Sequence, residues 1–598
     1  MAENKILQRS EVEERYTWNL ADIFPAEECF FEALKEAGSL AEKILRYEGR
    51  LGESAKTLLG FFRLSDEADV TLGKIYGYAS QKADEDTANA KAIDMRGKAH
   101  TLSISIAGAL SFRDPELMAI PEDTLAKFYK EEPELSTYRR VIEKVRKMNG
   151  HILSPKEEAL LAGAAELAGA PASINSMLQN ADLKWPAVKD GNGVEHPLSN
   201  GSFVPLLESP DQAFRKKVFE TYYEKIDGVK NTVAEALNSQ FKQLRFYAGA
   251  RNFPSTLEAA LCETEVPVRV YDNLIEAVHE NLKPMYRYVA LRKKRLGVGE
   301  LHMYDVYTPI VGGVSRKITF EEAKETVLDA LKVLGDDYTA LLKEGFENRW
   351  IDVYENVGKR SGAYSSGNSR PHPYVLLNHK DNLDSMFTLA HEMGHALHSY
   401  HSTKYQPVAT SDYVIFVAEV ASTCNEVLLM KHLLSRTSDR EERAYLINHF
   451  LDSFKGTIYR QTMFAEFERI MGKMCEQGEA LTAEVLTEKY LELNRLYFGP
   501  DMISDPYIGL EWARIPHFFY NYYVFQYATG YSAAVAIANR ILSEGESAVR
   551  DYKKFLSGGS SLDPISLLKL AGVDMSSPEP VRSVLTLFND LVTEMESL

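Results

Sequence analysis

The sequence is poor in cysteine and has no excess of basic residues. Only four cysteines occur in 598 residues, and no two of them form a C-x-x-C pair. This excludes a disulfide scaffold and a thiolate metal cluster. Acidic residues outnumber basic ones by 86 to 68, which gives a formal charge of −18. Because such a charge repels nucleic-acid phosphates, we expect no nucleic-acid partner.

Long apolar runs are also missing. No stretch reaches the roughly 18 apolar residues that span a bilayer. The first segment of the chain carries charges throughout and lacks the apolar core of a signal peptide. We therefore expect no membrane partner, reduced cysteines and a cytoplasmic location. The phosphate-binding loop G-x-x-x-x-G-K-[ST] is absent as well, so nucleotide hydrolysis has no support.

Helical periodicity dominates what is present. Apolar residues recur at i, i+3, i+4 and i+7 in segments such as 27–49 and 319–345, which predicts amphipathic helices. Four segments have strand-like composition: 183–198, 303–311, 350–356 and 372–378. The first of them, 183–198, is predicted to form a hairpin. We expect the last three to share one sheet. The sequence therefore predicts a mainly α fold with one small β-sheet.

The clearest break in the pattern is SNGSFVPLLESPD, residues 199–211. No internal repeat or low-complexity linker accompanies it. The break predicts an N-terminal helical lobe of residues 1–204 and a second part, 205–598, that carries the motif described next.

The decisive segment is LDSMFTLAHEMGHALHSYH, residues 383–401. His391 and His395 lie one helical turn apart, so both imidazoles project from one face at a separation that a metal ion bridges. Glu392 lies between them, where it can take a proton from a metal-activated water. Uncharged neighbours indicate a buried helix, and Gly394 in its middle indicates close approach of another backbone. The pattern predicts a zinc site.

Other residues of this helix have structural interpretations. Asp384 or Ser385 can cap its start. His398 and His401 point away from the ligand pair, so we expect them in the core or on the surface rather than on the metal.

Catalytic zinc usually has three protein ligands, and Asp412, Glu419 and Glu426 follow downstream. Glu419 interrupts the apolar run VIFVAEVA, where an unpaired carboxylate is costly. Asp412 sits where the next helix should begin and suits an N-cap. Glu426 lies two turns beyond Glu419 and suits a hydrogen bond to a histidine ligand. A salt bridge to a neighbouring helix is the alternative for Glu419.

Further motifs are spread over nearly the whole chain: RYTWNLADIFP (15–25), GKRSGAYSSG (358–367), FVAEVASTCNE and IPHFFYNYYVFQYATG (515–530). Together with HEMGHALHSYHS they resemble oligoendopeptidase F, in the thimet-oligopeptidase-like group of zinc peptidases. The resemblance implies a largely helical, two-lobed, clam-like protein with a deep channel, one zinc ion on its floor and oligopeptide substrates. It also implies His391, His395 and Glu419 as zinc ligands and Glu392 as catalytic base.

Segment 515–530 concentrates possible hydrogen-bond donors. These are His517, Tyr520, Tyr522, Tyr523 and Tyr527. Peptide hydrolysis puts negative charge on the carbonyl oxygen, and a phenol or imidazole aimed at that oxygen stabilises it. The resemblance points to this segment for such donors. The alternative is an aromatic stripe packed in a core.

Two nearby segments are candidate substrate-binding elements. Three glycines in loop 358–367 let its backbone approach a peptide closely, although an ordinary surface loop is the alternative. The predicted strand at 372–378 can offer an edge with which an extended peptide pairs.

Three functions are compatible with these features. The first is a zinc-dependent oligoendopeptidase that hydrolyses internal bonds of short unstructured peptides, with Glu392 as general base. The second is a zinc exopeptidase, either a carboxypeptidase or a dipeptidase. The third is an inactive peptide-binding protein that keeps zinc for structure, which Glu392 disfavours because a structural site needs no base. The sequence favours the first.

Overall fold

The computed structural model describes residues 6–312, 317–367 and 371–598. It is 70% helical, which confirms the prediction of a mainly α fold. Among the described helices, none combines the length and the apolarity needed to cross a bilayer. The α-helices, in chain order, are α1 (Glu27–Ala37), α2 (Leu40–Leu45), α3 (Ala55–Glu85), α4 (Ala90–Ala109), α5 (Arg113–Ala119), α6 (Glu122–Glu131), α7 (Arg139–Lys147), α8 (Pro155–Ala168), α9 (Ala170–Met177), α10 (Phe203–Leu207), α11 (Gln212–Asp227), α12 (Lys230–Ala250), α13 (Thr256–Cys262), α14 (Val268–Glu280), α15 (Leu282–Leu296), α16 (Phe320–Leu331), α17 (Asp336–Glu347), α18 (Leu383–Tyr405), α19 (Ile415–Arg436), α20 (Arg440–Phe454), α21 (Arg460–Glu476), α22 (Ala483–Phe498), α23 (Phe525–Glu544), α24 (Glu546–Leu556), α25 (Pro564–Leu570) and α26 (Glu579–Ser597).

Within the described residues, short strands form three small sheets. The strands are β1 (Val188–Lys189), β2 (Glu195–His196), β3 (Leu301–His302), β4 (Ile351–Asp352), β5 (Tyr364–Ser366), β6 (Tyr374–Leu376) and β7 (Met502–Ile503). β1 and β2 pair antiparallel, which confirms the hairpin predicted at 183–198. β3 pairs parallel with β7. The third sheet has the order β4-β6-β5, with β6 parallel to β4 and antiparallel to β5.

The strand predicted at 303–311 is wrong. Met303–Asp305 forms a 3₁₀ turn, and Asp305 closes it by accepting a hydrogen bond from the His302 backbone N–H at 3.0 Å. The Asp305 carboxylate is fully buried and also accepts bonds from the Arg215 guanidinium at 2.7 and 3.0 Å. This buried ion pair outweighs the strand propensity of the aromatic and β-branched neighbours. The third strand of the predicted sheet is β5 instead, from the glycine-rich segment.

The strands predicted at 350–356 and 372–378 are confirmed as β4 and β6. However, β6 lies between β4 and β5, so it is paired on both sides. A peptide therefore cannot pair with 372–378, and the prediction of a substrate edge there is wrong. β5 is the edge strand on that side of the sheet.

The chain divides into two compact units, each assembled from three segments. The first unit contains Met1–Ile152, Arg316–His432 and Ile537–Val573. The second unit contains Leu153–Ser315, Leu433–Ala536 and Asp574–Leu598. These units are defined by which residues lie close together in space. The predicted boundary along the chain, between residues 1–204 and 205–598, stays a prediction.

The small sheet is anchored in the core of the first unit. Tyr374 and Leu376 of β6 belong to the same apolar cluster as Phe61 and Tyr78 of α3. After β5 the chain packs on α18, since a Cβ placed on Gly367 would lie 3.0 Å from that of Ser399. The sheet thereby fixes the glycine-rich segment against the helix that carries the H-E-x-x-H motif.

A buried ion cluster fixes the start of the glycine-rich segment. The Lys359 side chain is fully buried, and its Nζ lies 2.7 Å from Asp352 Oδ1 on β4. Arg9 binds both oxygens of the same carboxylate, at 2.8 and 2.5 Å. Lys359 also donates to the carbonyl oxygen of Tyr354 at 2.7 Å. Because paired charges of this kind are costly to separate once buried, the segment is held firmly at this end.

Candidate active site

The predicted metal-binding residues lie on α18 and α19. Asn382 caps α18, because its side chain accepts a hydrogen bond from the Ser385 backbone N–H at 2.9 Å. The expectation that Asp384 or Ser385 is the cap is therefore wrong by two or three positions. Asp384 lies in the first turn instead, where its negative charge interacts favourably with the helix dipole.

Gly394 permits the contact between these two helices. A Cβ placed on it would lie 2.6 Å from the Cα of Ser422 and 2.8 Å from the carbonyl oxygen of Ala421. These distances confirm the close backbone approach that a glycine in mid-helix indicates. The approach brings the carboxylates of α19 within reach of the histidine face of α18.

His391, His395 and Glu419 converge on one point. The Nε2 atoms of the two histidines are 3.2 Å apart. Oε2 of Glu419 lies 3.3 Å from Nε2 of His391 and 3.4 Å from Nε2 of His395. The three ligand atoms thus form a nearly equilateral triangle.

This triangle has the size that a tetrahedral zinc site requires. Zinc binds nitrogen and carboxylate oxygen at about 2.0–2.2 Å, so tetrahedral angles place neighbouring ligand atoms about 3.3–3.6 Å apart. Two observed edges, 3.3 and 3.4 Å, fall at the short end of that range, and the third, 3.2 Å, lies just below it. Two imidazoles and one carboxylate are also a donor set of catalytic zinc, with the fourth position left for water or substrate. The residues fit a single zinc ion.

Carboxylates surround the histidines with negative charge. Glu426 is hydrogen-bonded to Nδ1 of His391, as its spacing from Glu419 predicts, and this leaves Nε2 for a cation. Burial lowers the pKa of His391, but the bonds to Glu419 and Glu426 outweigh burial and raise it above its ordinary value. Burial raises the pKa of Glu419, yet bonds from the two histidines hold it below its usual range. A bound cation would supply positive charge to these carboxylates.

Glu392 is the most deeply buried carboxylate of the site. Only 7% of the residue is exposed, and burial raises its pKa although the neighbouring histidines act in the opposite direction. Its Oε2 atom is buried and has no hydrogen-bond partner within the described part of the chain. A carboxylate in such surroundings binds a proton more readily than one in water, which suits proton transfer.

The remaining candidates near the motif lie outside the metal centre. Asp412 is exposed and does not join the three donors. His398 is fully buried and stacks on Tyr413 with ring centroids 3.8 Å apart, and burial lowers its pKa to about 3. Burial also lowers the pKa of His401 to about 4. Both histidines are therefore neutral core residues at pH 7.

Ser422 is a contact of the site that the sequence analysis missed. Its hydroxyl lies 3.2 Å from Oε2 of Glu419 and 3.0 Å from the carbonyl oxygen of the same residue. It therefore orients the carboxylate oxygen that faces the histidines. A hydroxyl three positions after a carboxylate in an apolar helix is the signal that points to this contact.

Four of the five predicted donors form an aromatic cluster in the second unit. Ring centroids of His517 and Tyr520 are 5.4 Å apart, those of His517 and Tyr527 are 6.1 Å apart, and those of Tyr523 and Tyr527 are 5.4 Å apart. Tyr520 is 54% exposed and the other three are partly exposed. Burial lowers the pKa of His517, so its imidazole is neutral at pH 7. Partial exposure suits contact with a ligand.

Tyr522 differs from these neighbours. It is buried, and its hydroxyl shares a 2.7 Å hydrogen bond with Oγ1 of Thr256. Its backbone N–H donates to Glu468 at 2.9 Å. Tyr522 is therefore a packing residue, and the donor role that its position in the motif suggested is wrong.

Comparisons with known proteins agree with the geometry of the metal centre. A profile described as Peptidase family M3 matches residues 205–587, and one described as Oligopeptidase F matches residues 116–185. The chain belongs to peptidase family M3. Membership of this family makes the protein a metalloendopeptidase that hydrolyses peptides, and it confirms the resemblance to oligoendopeptidase F.

Relatives in family M3 match the chain over nearly its whole length. It is 46% identical to oligopeptidase PepF of Bacillus subtilis over 598 residues, which is 100% of this chain and 89% of the relative. It is 39% identical to the group B oligopeptidase PepB of Streptococcus agalactiae over 590 residues, covering 99% of this chain and 98% of the relative.

Solved structures support the fold assigned to this M3 chain. A peptidase from Chlamydophila abortus superposes with a TM-score of 0.92 at 33% identity, covering 99% of this chain and 100% of that one. The oligoendopeptidase-F of Enterococcus faecium gives a TM-score of 0.75 at 37% identity, with 96% and 98% covered.

Removal of Glu419 tests the ligand triangle. We expect Glu419→Ala to lower zinc content after dialysis more than Glu426→Ala or Asp412→Ala, because only Glu419 supplies one of the three converging atoms. Loss of Glu426 should weaken zinc binding about 10–100-fold, as is typical of residues that orient a ligand. Asp412→Ala is the exposed control. Elemental analysis of the dialysed proteins measures this, and equal zinc in all three variants would remove Glu419 from the ligand set.

Proposed function

We propose that the protein is a zinc-dependent oligoendopeptidase that hydrolyses internal bonds of short unstructured peptides. The observation that carries the proposal is the triangle of His391, His395 and Glu419 beside the buried carboxylate of Glu392. These three donors would hold one zinc ion per chain. The proposal includes a cytoplasmic location, which is supported by the sparse cysteines typical of a reducing compartment.

The chain's own residues supply the proton transfers. When bound, zinc acts as a Lewis acid toward the scissile carbonyl and makes water more acidic. Glu392 takes the proton of the attacking water as general base and delivers it to the leaving amine. Its burial beside the three donors supports this role, because it places the carboxyl group that holds the proton between the two transfers away from bulk water. No acyl-enzyme forms, since water and not a side chain attacks the carbonyl.

The substrate is an extended peptide for a physical reason. The base and the metal centre must reach the same carbonyl group. In a folded protein the backbone carbonyl and N–H groups are already bonded within secondary structure. A short unstructured peptide presents these groups without prior unfolding. The names of the relatives, oligopeptidase and oligoendopeptidase F, support the same substrate class.

The aromatic cluster is proposed as the source of donors to the carbonyl oxygen. Neutral imidazole and phenol each donate one hydrogen bond, and such donors stabilise the negative charge that develops during hydrolysis. The partial exposure of His517, Tyr520, Tyr523 and Tyr527 supports this role. The family resemblance of segment 515–530 supports it independently.

A short peptide blocked at both termini separates endopeptidase from exopeptidase activity. We expect mass spectrometry to find cleavage at an internal bond of the acetylated and amidated peptide. Removal of metal with a chelator should stop the reaction, and added zinc should restore it. An exopeptidase would leave the blocked peptide intact while trimming its unblocked counterpart, and that result would replace the proposal. Binding of peptide without any cleavage would instead indicate an inactive peptide-binding protein.

Glu392→Gln tests the general base. The amide preserves size and leaves the three metal donors in place, so the variant should keep its zinc and lose turnover. General-base catalysis contributes about 10²–10⁴ to the rate, so we expect a fall in kcat of that size. Zinc content and kcat are measured on the same preparation. A variant that retains most of the parent's turnover would show that Glu392 is not the base.

The aromatic cluster is tested by removing one donor at a time. We expect His517→Ala and the Tyr→Phe changes at 520, 523 and 527 to leave zinc content unchanged. Loss of one oxyanion donor typically costs about 10²–10³ in kcat, so at least one variant should fall by that factor. Tyr522→Phe is the matched control, because its hydroxyl is bonded to Thr256 inside the core. Normal turnover in all four cluster variants would assign the cluster to packing.

A further inference from the structure

A fully buried amide lies beside the metal centre and takes no part in the chemistry described above. Asn425 is on α19, directly before Glu426, and has no exposed surface. Its Nδ2 donates to the carbonyl oxygen of Ala390 on α18 at 3.1 Å. Its Oδ1 accepts a hydrogen bond from the Tyr338 hydroxyl on α17 at 3.0 Å. One side chain thus connects three helices.

The two hydrogen bonds determine which way the amide faces. With Oδ1 and Nδ2 exchanged, the amide oxygen would face the carbonyl oxygen of Ala390, and two acceptors would meet without a proton between them. The Tyr338 side chain is also fully buried, so its hydroxyl depends on Asn425 as a partner. Neither leucine nor aspartate can reproduce this pair of bonds, because leucine has no polar atom and aspartate has no donor when ionised.

The position of the acceptor connects this amide to the metal ligands. Ala390 directly precedes His391, and Asn425 directly precedes Glu426, which is bonded to the ring of His391. One turn further along α18, Gly394 lies against the backbone of Ser422. Contacts at Ala390, His391 and Gly394 therefore follow one another along the same face of α18. Together they set how far α19 can slide or rotate against it.

The amide contact differs in kind from the other two. The glycine contact limits how closely the helices approach, but it does not prevent sliding along their axes. The bond from Glu426 ends on a side chain that can rotate. The bond from Asn425 ends on the backbone of α18, so it fixes the longitudinal position of α19 relative to the histidines. A displacement of about 1 Å exceeds the tolerance of about 0.2 Å within which zinc–ligand distances must fall.

We infer that Asn425 is a positioning residue of the metal centre, which holds α19 in register so that Glu419 and Glu426 meet His391 and His395. Tyr338 acts through it by orienting the amide. This inference rests on the proposed zinc function and adds the residue pair that presets the ligand geometry. Preset geometry gives higher zinc affinity, because less ordering remains to be done when the ion binds.

The test compares zinc affinity in two variants that each lose a buried amide. Asn425→Leu removes both interhelical bonds at the metal centre. Asn494→Leu is the matched control, since Asn494 is equally buried, lies in the second unit and accepts a bond from Ser504 at 2.7 Å. Competition with a chromophoric chelator gives the zinc dissociation constant, and thermal unfolding of the metal-free proteins gives their stability.

We expect Asn425→Leu to weaken zinc binding about tenfold or more, within the range typical of residues that orient ligands. Asn494→Leu should lower the thermal stability of the metal-free protein and leave the zinc dissociation constant unchanged. Tyr338→Phe is a second variant for the case that Asn425→Leu fails to fold, because it removes only one oxygen atom. We expect it to weaken zinc binding as well, by a smaller factor than Asn425→Leu.

The outcomes separate this inference from the proposed function. If the parent protein takes up no zinc, the proposed function fails and the inference fails with it. If the parent binds zinc and cleaves peptide while Asn425→Leu and Tyr338→Phe bind zinc as tightly as the parent, only the positioning role is overturned. Equal weakening by Asn425→Leu and Asn494→Leu would also overturn it, because general destabilisation would then explain the effect.

Discussion

The metal centre depends on the contact between α18 and α19 at Gly394. Helix axes usually pack 8–10 Å apart, at a distance set by the side chains between them. Because Gly394 has no Cβ, the backbone of Ser422 occupies the space that a side chain would take between the two helices. Carboxylate side chains are short, so Glu419 and Glu426 reach the histidines only because the helices are this close. A single methyl group at residue 394 would separate atoms that must stay within 3.2–3.4 Å of one another.

Much of this centre could be predicted because its geometry is local. Two histidines one turn apart share a face in any α-helix, and no distant contact is needed to place them. Glu419 could be selected because a carboxylate within an apolar run needs a partner. Gly394 indicated the neighbouring backbone for a similar reason. Glu419 and Gly394 are each unfavourable within their own helix, and this cost pointed to a partner on another helix.

The errors about the strands and the aromatic motif arose where contacts beyond the local sequence decide the structure. The turn at Asp305 depends on Arg215, ninety positions away in the chain, and strand propensity contains no information about that pair. The central place of β6 depends on which segments pair with it. Tyr520 and Tyr522 occupy the same motif, yet one is exposed and the other is buried. Positive φ angles of 56° and 59° at Asn521 and Tyr522 turn the chain between them. Asparagine adopts such angles more often than most residues, but tyrosine does not, so the sequence does not predict two of them in succession.

The residues of the metal centre all come from one continuous stretch, His391 to Glu426, within a unit assembled from three distant segments. The chain entropy lost on closing a loop grows with its length, by about 0.6 kcal/mol for each doubling. Bringing α19 onto α18 closes a short loop, whereas the contact between His398 and Phe555 closes one several times longer. The pairing that builds the metal centre therefore costs less chain entropy than the contacts that join the distant segments of its unit.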